Sequence, residues 1–303
     1  MSECKVAYLI LAHTDPRMLH KLVHAINYEA CIFIHLDKKT DMSVFLSLEW
    51  PDSVKFIEDR VAVYWGGISV VNATISLIKS ALNSEEPFSH LVLLSGLDYP
   101  IKPPRELHKF LNAHQDRQFI HFCKIEQIAP GLRRTENYWF HEPLFSLPIR
   151  LEKPFRSFLS KALSFLLPAK QLSHMMLVFG SQWWALTPKC ASYIIQLLEE
   201  NPKLLSFFCT AHAPDEIIFH TIIANSLYIK QSAGFMANAI APRELSNLHV
   251  VKIGKVFKEK DFSQLKRTDK FFVRKLDSSS SKKLICLLDK EVLSRQVDMG
   301  GAL

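Results

Sequence analysis

The chain has 303 residues, enough for one large α/β domain or two modest ones, and its 48% apolar and 22% charged side chains exclude intrinsic disorder. Nine glycines and fifteen prolines exclude collagen-like and low-complexity architectures. Basic side chains outnumber acidic ones by 37 to 30, leaving +7 and calling for an anionic partner, be it nucleic acid, acidic lipid or a phosphorylated substrate. Seven apolar residues, Val6 to Ala12, follow Lys5 and stop at His13. That run is too short for a signal-peptide core or a membrane span and fits a buried parallel strand at 5–12. A helical pattern follows at 16–28, then a strand at 31–36 ending in His35-Leu-Asp37, and a short strand at 54–58. Ile68, Val71, Ile75, Ile78 and Leu82 are spaced three and four apart, which predicts an amphipathic helix beginning near Ile68. A strand at 90–95 is next, and Pro103-Pro104 opens a further helix at its first turn. This alternation predicts an α/β fold with a mostly parallel sheet covered on both faces. Ligands of such sheets gather at the carboxyl ends of the strands, where this chain carries His13, Asp37 and the Gly96-Leu-Asp98-Tyr-Pro100 turn.

From 126 to 175 the pattern weakens into a charged and aromatic stretch holding Arg133, Arg134, Glu136, Tyr138, Trp139 and Phe140. The segment 150–170 has five bases, one acid and several Phe and Leu, which suits a membrane interface; its plainer reading is a helix packed on the domain. Regularity returns with a strand near 177–186, a helix from Pro188 and a helix starting at Pro214-Asp-Glu216. Residues 252–283 hold eleven Lys or Arg against four Asp or Glu. The longest uncharged stretch, 171–188, carries too many polar groups to be read as transmembrane. Six scattered cysteines without a C-x-x-C pair read as reduced, mostly buried thiols of a cytosolic protein. No repeat and no linker interrupts the chain.

The Walker loop, G-x-G-x-x-G, G-x-S-x-G and H-E-x-x-H are absent, and so is any D-x-D, the acidic pair with which many nucleotide-sugar transferases hold a divalent cation. The remaining features each have a plain structural reading. Pro214-Asp-Glu216 would cap a helix, Asp37 and Asp98 would form turns, the tryptophan pair would be core, and the basic tail would be a solvated face.

Seven motifs nevertheless occur in register: Val6-Ala-Tyr-Leu-Ile-Leu-Ala-His13, Ile34-His-Leu-Asp-Lys38, Val63-Tyr-Trp-Gly-Gly-Ile-Ser69, Leu94-Ser-Gly-Leu-Asp-Tyr-Pro-Ile101, Gly180-Ser-Gln-Trp-Trp184, Pro214-Asp-Glu-Ile217 and Arg274-Lys-Leu-Asp277. With them the chain resembles the core-2/I-branching β-1,6-N-acetylglucosaminyltransferases and their peptide O-xylosyltransferase relatives, as a bacterial-type member. The resemblance implies a single GT-A type (Rossmann-like) domain over 1–303, with a nucleotide-sugar-binding half at 1–125 and an acceptor-binding and catalytic half at 126–303. It also implies an inverting mechanism, a UDP-sugar donor, and neither metal nor other cofactor.

Glu216 matches the family's general base, and a helix N-terminus would keep it ionised, the form a base needs. Asp215 beside it would cap or orient. Lys275 matches the lysine that contacts the diphosphate, with Arg274 adjacent. A second family arginine, some two dozen residues upstream, falls on His249, and Lys252, Lys255 or Arg243 would have to replace it. The resemblance places Asp37 near the nucleoside, with His13 at the neighbouring strand end, and Asp98 near the donor sugar. Trp183 and Trp184 are the expected platforms for a sugar acceptor, one of the two being as readily core, and Glu136 would hydrogen-bond acceptor hydroxyls.

The expected function is metal-independent transfer of a sugar, GlcNAc before xylose, from UDP to a glycan or lipid-linked glycan in surface polysaccharide or lipopolysaccharide synthesis. The expected location is the cytoplasm, with peripheral contact to an anionic membrane at its inner face. The alternatives are a peptide O-xylosyltransferase-like enzyme using UDP-xylose, toward which Phe219-His-Thr221 leans, and an inactive scaffold of the same fold. Nucleic acid is not an expected partner, because no recognition motif accompanies the charge.

Overall fold

Alternation along the first strands builds both faces of a sheet. In β1 (Lys5–Ala12), Ala7 and Leu9 pack into one apolar layer while Val6, Tyr8, Ile10 and Ala12 pack into the other. β2 (Ala30–Leu36) and β3 (Val54–Phe56) extend the sheet in parallel on one side of β1, and β4 (Phe88–Ser95) extends it in parallel on the other. Sequential strands on one side of a parallel sheet need crossovers, and helices supply them. α1 (Pro16–Ile26) crosses from β1 to β2 on one face. Past a short α2 (Ser43–Leu46), α3 (Ser69–Leu82) leads to β4 on the other face, burying Val71, Thr74, Leu77, Ile78 and Ala81. Burial of a Val, Leu or Ile side chain such as Val71, Leu77 or Ile78 contributes ~1.5–3 kcal/mol. The computed structural model describes residues 4–125, 133–143, 149–172, 174–237 and 242–293.

After β4 the chain makes a short strand, β5 (Asp98–Pro100), and α4 (Pro104–Asn112), with Pro104 at its first turn as expected. β6 (Gln118–Lys124), β7 (Val178–Phe179), β8 (Ala185–Leu186) and β9 (Ser232–Phe235) complete the main sheet, in the order β3-β2-β1-β4-β8-β6-β7 with β9 beside β6. β8 is antiparallel to β4 and β6, and β7 is antiparallel to β6, so the sheet is mostly parallel with an antiparallel insertion. The fold is thus the α/β, Rossmann-like arrangement expected. A second sheet joins β5 to β10 (His249–Val251) and β11 (Phe272–Arg274), in the order β10-β11-β5. It carries the basic tail back to the strand ends.

Two expected elements are different. The strand at 177–186 is broken between β7 and β8 by a loop, Gly180 to Trp184. A Cβ on Gly180 would lie 2.1 Å from the His220 ring and 2.5 Å from the His121 carbonyl oxygen, so only glycine permits this approach. There the Gly180 N–H donates to the Glu216 carbonyl (2.9 Å), in place of a ladder bond. The helix expected at Pro214 is a single 3-10 turn, Pro214–Glu216, with the α-helix beginning at Ile218. The turn is entered through Ala213 in the left-handed region (φ 51°), a conformation that costs an L-residue roughly 1–2 kcal/mol.

α5 (Ile149–Leu166) is the segment expected to be basic and amphipathic. Its polar side faces the protein: the Ser164 hydroxyl accepts from Tyr138 N–H (3.0 Å), Ser160 accepts from Phe140 N–H (3.3 Å), and Arg156 donates to the His141 carbonyl. Leu151, Phe155, Phe158 and Phe165, at steps of four, three and seven, are exposed. The six cysteines are unpaired, but only Cys123 and Cys190 are buried, fewer than expected.

Candidate active site

The loop at Gly180, the turn at Pro214 and the second sheet converge on a cavity of about 450 Å³. Glu216 reaches it from the turn, with 27% of its side chain exposed, and receives a hydrogen bond from Arg134 Nη1 at 3.0 Å. Arg134 is held over the Phe179 ring at 4.8 Å and is itself almost buried. Burial, then the charge of Asp215, push the Glu216 carboxyl above the ordinary carboxylate range, while Arg134 pulls the other way. Burial likewise raises Asp215, which also lines the cavity. The helix-terminus argument therefore fails for Glu216: one 3-10 turn supplies too little dipole to offset burial beside a second carboxylate.

Cations line the same cavity. Arg274 and Lys275 come from the end of β11, and Lys252 and Lys255 from the loop after β10. Arg274 lies over the Trp183 ring at 4.3 Å and donates to Asp98 Oδ1 at 3.0 Å. Lys255 is paired with Asp261. Lys252 and Lys275 are exposed to the cavity and form no ion pair among the described residues.

Asp98 does not reach the donor position expected of it. Its side chain has no exposed surface, because Oδ2 accepts from Ser95 N–H (2.7 Å) and faces His249 Nε2 (3.3 Å), while Oδ1 holds Arg274. Burial would raise its pKa, but the charge of Arg274 and the His249 contact outweigh that and keep it low. Asp98 is thus the anchor of Arg274. His249, 2% exposed and stacked on Phe272 at 5.1 Å, offers no cation to the cavity, and Lys252 and Lys255 stand there instead. The side chain of Arg243 falls outside the described residues.

His13 and Asp37 lie at the ends of β1 and β2, beside this cavity but outside its lining. Burial pushes Asp37 up, but the Lys39 backbone N–H (2.9 Å), the Lys39 ammonium (2.9 Å) and Val63 N–H (3.4 Å) hold it below its ordinary value. His13 is kept low by burial and, against the pull of Asp37, by the charges of Arg274, Lys39 and Lys275. Strand ends and tail cations therefore form one electrostatic neighbourhood. Asp15 ties the tail there, capping α1 through Met18 N–H (3.0 Å) and accepting from Ser278 N–H (2.8 Å).

The adjacent tryptophans part company. Trp183 lines the cavity, whereas Trp184 is 1% exposed and packs against Phe219 in the core, so it is no acceptor platform. Glu136 is also elsewhere: it pairs with Arg133 at 3.3 Å and borders a different depression beside Lys170. Sequence reading missed Arg134, Trp65 and His212, all lining the cavity. Trp65 is 81% exposed and edge-on to His212 at 5.8 Å. Its position within Val63-Tyr-Trp-Gly-Gly was the available signal. His212 is pushed down to about 4 by burial, aided by Arg134 and His141, so the imidazole is neutral near pH 7. Among the described residues, no group of three or more His, Cys, Asp or Glu is placed to hold a metal ion.

A family model described as Core-2/I-Branching enzyme matches residues 6–239, a span that includes His13, Asp37, Asp98, Arg134, Trp183 and Glu216 but ends before Lys252, Arg274 and Lys275. Human xylosyltransferase 2 is 24% identical over 308 residues, covering 94% of this chain and 33% of that protein. The human N-acetyllactosaminide beta-1,6-N-acetylglucosaminyl-transferase is 25% identical over 222 residues, covering 72% of this chain and 52% of its own. The chain thus spans about a third to a half of the length of these curated relatives. Among solved structures, apo mouse xyloside xylosyltransferase 1 aligns over 88% of this chain and 97% of its own, at 13% identity and a TM-score of 0.38.

Proposed function

The chain belongs to the Core-2/I-branching enzyme family, and from that premise we propose that it transfers a sugar from a UDP-sugar to a glycan hydroxyl with inversion, without a metal. The observation that carries this reading is the meeting, in one cavity, of the partly exposed carboxylate Glu216 with two cations, Lys252 and Lys275, that form no ion pair among the described residues. The acceptor oxygen attacks the anomeric carbon as its proton passes to Glu216, and the bond from that carbon to the diphosphate breaks on the opposite face. The leaving diphosphate carries the displaced electron pair, and Lys275, Lys252 and Arg274 stabilise that charge. Asp37 and His13 serve the nucleoside, Asp98 fixes Arg274, and the Trp183 ring, 8% exposed and covered by that guanidinium at 4.3 Å, backs Arg274 rather than an acceptor sugar. In this reading 1–125 supplies the nucleoside end of the donor site, and 126–303 supplies the cations for the diphosphate and the base.

UDP-GlcNAc is the first donor we propose. UDP-xylose is the second, favoured by the 94% span of the match to xylosyltransferase 2. The acceptor is a glycan of surface polysaccharide or lipopolysaccharide synthesis, free or lipid-linked, at the cytoplasmic face of a membrane. No described helix is long and apolar enough to cross one. Thermal shift with UDP-GlcNAc, UDP-xylose, UDP-glucose and GDP-mannose tests the donor. A true donor at about a hundred times its dissociation constant stabilises the fold by roughly 2.7 kcal/mol. Equal stabilisation by GDP-mannose, or none by any UDP-sugar, overturns the reading.

A further inference from the structure

A second cavity, of about 700 Å³, adjoins the first and shares Trp65 with it; His141 lines the one and His212 the other, their rings joined at 2.9 Å. Four cations line the second cavity, Arg133, Lys153, Arg156 and Lys161, and no described lining residue is a carboxylate. The nearby acids lie outside the lining: Glu136 offsets Arg133 at 3.3 Å, Glu142 accepts from Ser69 N–H at 2.6 Å, and Glu152 sits one turn before Arg156 on α5. The buried Nε–H of Arg156 has no acceptor among the described residues, although its Nη1 is used on the His141 carbonyl. A buried donor left so costs ~1–3 kcal/mol unless something entering the cavity accepts from it.

Aromatic rings form the rest of the wall. Trp139 lies parallel to His141, 6° between planes and 6.1 Å between centroids, and Trp65 stands edge-on to the same imidazole. Rings of this kind take the apolar face of a sugar, while guanidinium and ammonium groups take oxyanions. A neutral glycan would use the rings and leave Lys153, Lys161 and the Nε–H of Arg156 unanswered. The cations are also spread out: Lys153 to Lys161 is eight residues of helix, about 12 Å at 1.5 Å per residue. That spacing fits charges repeated along a saccharide better than one concentrated phosphate.

We propose that this second cavity is an acceptor subsite for an acidic glycan, one with carboxylates on successive sugars, passing over Trp65 so that its reacting end reaches Glu216. The proposal rests on the glycosyltransferase reading and names its acceptor class. The test is isothermal titration calorimetry of the whole protein, saturated with UDP, against tetragalacturonate and its methyl ester, which have the same rings but differ in charge. The acid is expected to bind at least tenfold more tightly than the ester. Lys153→Ala/Lys161→Ala, and separately Trp139→Ala, should weaken the acid at least fivefold while UDP affinity stays within twofold. Equal binding of acid and ester, binding of neither, or variants that leave the acid's affinity unchanged would overturn the proposal. Failure of UDP to bind the wild-type protein would instead remove the glycosyltransferase reading beneath it.

Discussion

Asp215 and Glu216 share one turn and one cavity, yet the surroundings separate their tasks. Asp215 is 8% exposed, whereas the Glu216 side chain is partly open and held by Arg134 at 3.0 Å. Only an ionised Glu216 accepts the acceptor's proton, and its pKa is raised, so activity is present above that pKa and lost as pH falls through it. The acid limb of kcat/KM is expected above the ordinary glutamate value of about 4.3. Arg134→Ala should move that limb to higher pH, because Arg134 pulls the pKa down. Glu216→Gln should cost about a hundred- to ten-thousand-fold in kcat with UDP affinity within twofold. A variant keeping more than half the wild-type turnover would refute the base assignment. The base was legible in the sequence because it lies in a local motif, as are Arg274 and Lys275. Arg134 was not, since its meaning depends on a pairing across 82 positions. For Trp183 and Trp184 the adjacency could say only that one would be core; which one was decided by the loop that Gly180 imposes.

Among the elements, strands β1, β2 and β4 and helices α1, α3 and α4 were readable because each carries a clean period and a terminator, such as Asp15-Pro16 at the start of α1. The strand at 177–186 was not, because its break arises from a contact between Gly180 and His220, forty residues apart. α5 is the element whose orientation no pattern revealed. It turns its serines and Arg156 inward, and Leu151 and Phe158 stand 60% and 69% exposed, with Arg150 alongside. Exposed apolar side chains beside a base match the chemistry of an anionic lipid surface. Cosedimentation should therefore show binding to vesicles containing phosphatidylglycerol and little to phosphatidylcholine alone. Burying one such side chain is worth ~1.5–3 kcal/mol, so Leu151→Ser/Phe158→Ser should weaken vesicle binding by about tenfold or more. Equal binding of wild type and variant would show that this face does not carry the membrane contact.

At the scale of the whole molecule, the question is where a net charge of +7 resides. The basic tail looks uniform in sequence, but the fold sorts it. Lys255, Lys266 and Lys283 are matched to Asp261, Glu291 and Glu259, and Arg274 is matched to buried Asp98. Lys252 and Lys275 are delivered to the cavity, by β10 and β11. A cavity that meets a diphosphate with its own fixed cations has that stabilisation in place before the bond breaks, which is where preorganised charge acts most strongly. Transfer is accordingly expected to survive EDTA. Lys275→Ala should lower kcat by an amount equivalent to ~2.7–4 kcal/mol, far more than it weakens binding of the intact donor, because the charge it answers develops only in the transition state. Lys283→Ala, at an exposed pair 3.5 Å apart, should change neither, as surface pairs contribute ~0–1 kcal/mol. Steady-state kinetics of the two variants, with and without chelator, checks both statements together. Equal small losses in the two variants would make the tail a solvated face, and activity abolished by EDTA and restored by manganese would show that a divalent cation, not Lys275, neutralises the leaving group.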